Sequence, residues 1–291
     1  MGYQLWVSPL TGYRRKGTKF TALKDIFIHN VTANCIYEPL LCCPVNSDSR
    51  NAKKALKIRN FDVAGVKETK DGPVIGYVAA DDIHDGDFKK YINEIGQELI
   101  ISDSTPIAEI FALLSSRSFC FVIYGNNIVG IITRADINKP PVRIYVFGII
   151  SLLEMHLNSW INHFYPNNSW VSKVGNKRMD DAKKLYEQRK GNNQELTLLE
   201  CLQFCDKRDL LKQVDDFLGM FNFSKNKFKI YMEKAETIRN ELSHSQNSII
   251  SNLEWNEFIK TMEIVEKFLI ESDTEVERIA KGGSDFQDLL I

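Results

Sequence analysis

The chain has 291 residues, 44% of them hydrophobic and 26% charged, with a formal net charge of −1 at pH 7. That length accommodates two ordinary domains of about 150 residues each, and the composition is that of a globular protein with real cores. The near-zero charge excludes nucleic-acid binding driven by overall basicity, so any such contact must come from local patches. The N-terminus carries no basic-then-apolar leader pattern. The most apolar stretch, 142–157, is interrupted by Arg143 and Glu154 and falls short of the roughly 20 apolar residues of a membrane span. A cytoplasmic protein with no membrane partner is therefore expected. Cys35, Cys42, Cys43, Cys120, Cys201 and Cys205 form no C-x-x-C pair. Cys201 and Cys205 lie one helical turn apart, but no nearby His or second pair completes a zinc set. Reduced, buried cysteines are expected.

In chain order, residues 5–20 open with Trp6-Val7-Ser8-Pro9-Leu10-Thr11-Gly12 and the basic run Arg14-Arg15-Lys16-Gly17. Pro and Gly make this an ordered loop or arm rather than a helix, and its basic run either touches phosphate or is solvated. Two similar units follow. In the second, 99–102 reads as a short strand, Ser104-Thr105-Pro106 as a helix start and 107–115 as the helix. Residues 119–124 and 128–133 read as strands about the turn Gly125-Asn126-Asn127, and Arg134-Ala135-Asp136-Ile137 begins another helix. The first unit repeats this order: 40–43, a polar helix over 47–55, 61–66, the turn Asp71-Gly72-Pro73, 74–79, and Asp81-Asp82-Ile83. Gly76 and Asp82 hold the same relative places as Gly130 and Asp136.

Gly130-Ile131-Ile132-Thr133-Arg134-Ala135-Asp136-Ile137 resembles the closing signature of a CBS domain, a glycine and two apolar residues followed by a hydroxyl and, three further on, an aspartate. Thr21-Ala22-Leu23-Lys24-Asp25-Ile26-Phe27 is similar to the short helix that opens such a domain, and residues 18–140 together resemble a CBS pair. The resemblance implies an adenine nucleotide in a cleft between the repeats. Hydroxyl and carboxylate three apart face one side of a helix start. The carboxylate suits ribose hydroxyls, and the helix N-terminus suits phosphate. The resemblance assigns Thr133 to phosphate or ribose, Asp136 to ribose and Arg134 to phosphate. In the first repeat Ala79 replaces the hydroxyl although Asp82 remains, so one nucleotide site is expected rather than two. A plain helix cap is the competing use of Thr133 and Asp136.

Lys139-Pro140-Pro141 marks a boundary. Beyond it no strand pattern appears. Residues 142–164 read as one helix, apolar nearly all round and hence buried. On it His156 and His163 share a face, as core or interface histidines. A second, basic helix is expected over 170–190, carrying Lys173, Lys177, Arg178, Lys183, Lys184, Arg189 and Lys190. Helices over 196–207 and 208–218 follow. Lys225, Lys227 and Lys229 are interleaved with Phe223 and Phe228, either an RNA footprint or a solvated face. Residues 227–243 and 253–270 close the set, and the tail beyond looks loosely ordered.

Near the end of the penultimate helix stands Arg239-Asn240-Glu241-Leu242-Ser243-His244. Asn240 and His244 share a helix face, while Arg239 begins about 140° round from His244. The stretch reads either as a capping cluster or as a proton shuttle beside a fixed cation, a pairing suited to metal-free phosphodiester chemistry. It fits the R-x(4–6)-H pattern, and the chain from about 143 to 270 resembles a HEPN domain, a helical bundle that in many members is a metal-independent endoribonuclease. The overall expectation is an α+β chain, a CBS pair over 1–140 followed by an all-α HEPN-like domain over 141–291. The expected function is a nucleotide-regulated endoribonuclease with Arg239, Asn240 and His244 as catalytic residues. Thr133, Arg134, Asp136 and Asp82 are its nucleotide-binding residues. RNA and an adenine nucleotide are the expected partners. No cofactor is expected in catalysis, and because Arg239 and His244 converge poorly within one helix, a homodimer is. By resemblance such a pairing implies stress response or defence against phage. The alternative is a non-catalytic, nucleotide-binding regulatory or adaptor protein.

Overall fold

The computed structural model describes residues 19–192, 197–243 and 248–282. Two compact units are present: one spans Phe27–Pro141, and the other comprises, among the described residues, 19–26 and 142–282. Helices α1 (Phe20–Asn30) and α4 (Pro140–Phe164) cross from one to the other along the chain.

The first unit is built from β1 (Glu38–Pro39), β2 (Cys42–Pro44), α2 (Ser49–Arg59), β3 (Val63–Lys67), β4 (Val74–Ala79), β5 (Ile100–Ser102), α3 (Ile107–Ser116), β6 (Phe119–Tyr124) and β7 (Asn127–Thr133). Its two sheets follow one plan. In the first repeat β2 runs parallel to β3, which pairs antiparallel with β4. In the second β5 runs parallel to β6, which pairs antiparallel with β7. Each parallel crossover carries a helix, as short parallel connections require. The helix α2 is capped by the Asp48 carboxylate, which accepts the Asn51 N–H at 2.9 Å, and ends at Asn60 in the left-handed region, φ 55°. Its inward face, Ala52 and Leu56, packs on Ala64, Val66 and Val78.

The two equivalent glycines share one cause. Each lies where a neighbouring segment runs against the last strand of its repeat. A Cβ on Gly76 would stand 2.7 Å from the Asn93 carbonyl oxygen, and one on Gly130 would stand 2.7 Å from that of Glu38. Tyr77 bridges Asn93, and Gly130 pairs with Pro39. Only glycine admits so close a backbone.

The helical unit contains most of α4, then α5 (Asn176–Gly191), α6 (Phe204–Leu211), α7 (Asp215–Met220), α8 (Lys225–Ser243) and α9 (Trp255–Gly282). Trp160, Phe217, Phe221, Phe228 and Phe268 form its aromatic core, with ring centroids 4.8–6.3 Å apart. Edge-on aromatic pairs of this kind add about 0.5–1.5 kcal/mol each beyond their burial.

Several expectations change. The helix expected over 170–190 begins only at Asn176. Residues Pro166–Lys173 form a 3-10 stretch with Asn167 and Asn168 in the left-handed region, and this stretch seats the fully buried Trp170. The expected helix over 196–207 divides into a 3-10 turn at Leu199–Cys201 and α6, and α9 runs past 270 to Gly282. The 25-residue α4 is long and apolar enough, by length and composition, to cross a bilayer, contrary to its reading as too short. Yet Val142, Tyr145, Val146, Ile149, Leu153, Leu157, Trp160 and Ile161 are buried in the unit, as in a core helix. All six cysteines are free, but only Cys120 and Cys201 are buried and Cys35 is exposed.

One buried polar cluster ties α1, α4 and α9 together. His156 Nδ1 lies 2.6 Å from Ser272 Oγ, which also accepts the Trp160 indole N–H at 2.6 Å. Asp273 Oδ1 lies 3.4 Å from His156 Nε2, and Asp273 Oδ2 accepts the N–H of Phe20, the first residue of α1, at 2.9 Å. Burial pushes the His156 pKa down to about 3. Burial, reinforced by Glu277 and opposed by Lys19 and the α1 N–H groups, lifts Asp273 to about 7. The neutral His156 contributes stability that is lost as pH falls from 6.5 towards 3. The raised Asp273 acts oppositely, its contribution being lost as pH rises from about 4 to 7. Asp273→Asn keeps the cap and removes the second effect. Its stability relative to the parent is expected to climb with pH between about 4 and 7, by up to about 1.4 kcal/mol per pH unit. Parallel urea melts across that range check this, and a pH-independent difference contradicts it.

Candidate functional site

Two sites emerge, one in each unit. In the repeat unit β7 ends at Thr133, the N-cap of a 3-10 turn over Arg134–Asn138. The Thr133 N–H and Oγ1 donate to Asp136 Oδ2 at 2.7 and 3.0 Å. Asp136 Oδ1 meets Lys139 Nζ at 2.8 Å, and the same ammonium reaches Glu38 Oε1 at 2.5 Å and the Ile36 carbonyl oxygen. Burial works against the Lys139 charge, but Asp136 and Glu38 outweigh it and hold its pKa above the usual lysine range.

Thr133 and Asp136 line a cleft of about 330 Å³ between the repeats. The first repeat contributes Asn60, Phe61, Asp62 and Val63. The second contributes Ser118, Phe119 and Ile131, and the connecting segment Glu38, Pro39 and Leu41. Two aromatic rings, three carboxylates and two hydroxyls around a space of this size suit a small ligand with one flat face and one polyhydroxyl edge. Arg134 and Asp82 do not line it. Arg134 Nε donates to the Leu114 carbonyl at 2.9 Å, at the end of α3. Asp82 is exposed in the turn after β4, where Ala79 offers no hydroxyl for a matching cap. The cleft is thus built on the Thr133–Asp136 side. Phe61, Asn60 and Lys139 were missed. The signal for Phe61 was present, because it opens the first repeat's strand segment as Phe119 opens the second's.

In the helical unit the candidate residues lie at the C-terminal end of α8. Arg239 Nη1 donates to Asn240 Oδ1 at 3.2 Å, and Ser243 Oγ donates to the Arg239 carbonyl at 2.8 Å. Between them Glu241 points inward, accepting the Ser251 hydroxyl at 3.1 Å and the Asn252 amide. Arg143 of α4 donates to the Glu241 and Leu242 carbonyls at 3.5 and 3.4 Å, a cation at the negative end of the helix. His244 lies outside the described residues. Arg239 and Asn240 line a cavity of about 570 Å³ with Glu154, Arg189, Glu200, Gln203 and Glu236.

The basic-aromatic stretch at the start of α8 divides. Phe228 is fully buried and packs on Phe217 and Phe223, so it offers no face to a base. Lys225 pairs with Asp215 at 3.0 Å and Lys229 with Glu233 at 3.8 Å.

Solved structures similar to this chain match its N-terminal part. An uncharacterised conserved protein from Pyrococcus horikoshii is 16% identical, with a TM-score of 0.34 over 38% of this chain and 90% of that one. The CBS domains of a transcriptional regulator from Streptococcus pneumoniae are 18% identical, with a TM-score of 0.32 over 37% and 97%. CBSX2, a CBS-pair protein from Arabidopsis thaliana, in complex with AMP is 16% identical, with a TM-score of 0.34 over 39% and 97%. No family model and no curated protein matches the chain.

Proposed function

We propose that the chain is a nucleotide-regulated, metal-independent endoribonuclease of the cytoplasm, with a CBS-like pair over 1–140 governing a HEPN-like domain over 141–291. The observation that carries this reading is that Arg239 and Asn240 open onto one polar cavity, on the helix that leads directly into His244. Two copies of the chain pair their motif helices into one composite site, as the symmetry of homodimers favours. The ribose O2′ attacks the adjacent phosphorus and gives its proton to His244. The P–O5′ bond breaks, and O5′ takes up a proton from an imidazolium. Arg239 stabilises the charge on the phosphorane, and Asn240 orients a phosphate oxygen or the imidazole. The products are a 2′,3′-cyclic phosphate and a 5′-hydroxyl.

Regulation is assigned to the cleft between the repeats. An adenine nucleotide places its base between Phe61 and Phe119, and its ribose hydroxyls replace Lys139 on Asp136. To turn a 1:99 equilibrium into 99:1 the ligand must favour one state by about 5.5 kcal/mol. Asp136→Ala is expected to weaken AMP or ATP binding at least tenfold by calorimetry, with a loss of about 1 kcal/mol of stability from the broken cap. Unchanged affinity would remove Asp136 from the ligand site. The second reading, a nucleotide-gated adaptor without catalysis, is favoured by the burial of Phe228 and the pairing of Lys225 and Lys229, which subtract from an RNA-binding face. Loss of function in Asp136→Ala with full function in His244→Ala identifies it.

A further inference from the structure

Three carboxylates face the cavity that holds Arg239 and Asn240, and each already has a donor. Glu154 Oε1 takes Lys207 Nζ at 2.6 Å, and Glu236 Oε2 takes Arg208 Nη1 at 3.3 Å. Glu200 Oε2 accepts the Thr197 N–H and hydroxyl at 2.6 and 2.8 Å. The two guanidiniums in the lining are far less engaged. Among the described residues the Arg239 guanidinium donates to the Asn240 side chain alone, and the Arg189 guanidinium makes no hydrogen bond or ion pair, although the Arg189 carbonyl accepts the Asn192 N–H. The acidic groups are thus satisfied by their own partners, while two planar donor forks open into the same space. Guanidinium forks match phosphate oxygens bidentately, and a cavity of about 570 Å³ has room for a nucleotide unit. Arg189 also sits in the last turn of α5, whose Lys183, Lys184 and Lys190 are exposed nearby on the same helix.

We propose that Arg189 is a second phosphate-binding residue of this cavity, holding the phosphodiester next to the one that Arg239 attends in a single-stranded RNA. The identity of the ligand rests on the ribonuclease reading, whereas the anion site itself rests on two guanidiniums that carry no carboxylate partner among the described residues. Arg189 lies on a half-exposed helix surface, so Arg189→Gln keeps the fold. The test uses the full chain and a 2′-O-methyl oligoribonucleotide, which lacks the attacking hydroxyl, with dissociation constants measured over a range of salt. Arg189→Gln is expected to raise Kd about tenfold and to shallow the salt slope by about 0.7, the share of one phosphate contact on a single strand. With the 2′-hydroxyl substrate the same variant raises KM more than it lowers kcat, and Arg239→Gln lowers kcat. If the parent cleaves nothing but Arg189→Gln still weakens binding with the shallower slope, the anion site stands and the catalytic reading falls. Equal Kd and slope in Arg189→Gln and parent, or a parent that binds no oligonucleotide, overturns the proposal.

Discussion

His244→Ala is expected to slow RNA cleavage in the presence of chelator by about 10²–10⁴-fold, the usual contribution of a positioned acid–base group. The expectation follows from the chemistry of the motif. A phosphodiester cut without metal needs a proton acceptor for O2′ and a donor for O5′, and the imidazole is the one side chain whose ordinary pKa serves both near neutral pH. Arg239, five residues earlier in the sequence, supplies the fixed positive charge. Glu241 between them is turned inward and held by Ser251 and Asn252, so it is anchoring rather than reacting. A rate for His244→Ala equal to that of the parent removes the catalytic reading. A parent rate abolished by chelator removes the metal-free one.

The second large effect concerns stability. Lys207 is 1% exposed, and among the described residues its ammonium has one hydrogen-bond or ion-pair partner, Glu154 of α4, at 2.6 Å. Removing one member of such a pair strands a charge in a low-dielectric site, which costs about 3–5 kcal/mol. Glu154→Ala is therefore expected to lower the melting temperature of the helical unit by on the order of ten degrees. Replacing the partner as well, in Glu154→Ala with Lys207→Met, removes the stranded charge and should recover most of the loss, because a buried pair gains little over an apolar substitute. Calorimetric melts of the parent, single and double variants decide the matter. A single variant melting within a degree of the parent, or a double variant as unstable as the single, contradicts it. Glu154 also lines the cavity beside Arg239, so this pair sets the wall of the candidate site as well as the stability of α4.

The repeats were legible because local signals agree with the tertiary outcome. Phe119–Tyr124 and Asn127–Thr133 follow from β-branched and aromatic runs about a Gly-Asn-Asn turn, and the first repeat follows the same rhythm. The doubled glycine was legible as a coincidence of position, and the close backbone of Asn93 and Glu38 supplies its cause. The stretch 166–175 was not legible. Its apolar and basic spacing passes for a helix, yet it holds two consecutive left-handed asparagines and a fully buried Trp170, whose indole N–H donates back to Asn168 Oδ1. The site divides in the same way. Thr133 and Asp136 announce themselves three residues apart. Lys139, drawn in by Glu38 and the Ile36 carbonyl, depends on a contact across about a hundred residues that no local pattern encodes. Arg134 had the right charge and the right place in sequence but turns to the end of α3. In the helical unit Arg239 and Asn240 came from the motif. Arg189 lay in a basic run among several similar side chains, and only the cavity distinguishes it.

The measurement that bears most directly on the whole account is the initial rate of RNA cleavage by the purified full chain, in chelator, as AMP or ATP is titrated. Cleavage that leaves 2′,3′-cyclic phosphate ends is expected, at a rate that changes at least tenfold across the titration and does not respond in Asp136→Ala. Absence of cleavage at every nucleotide concentration, or a rate indifferent to the nucleotide, would contradict it.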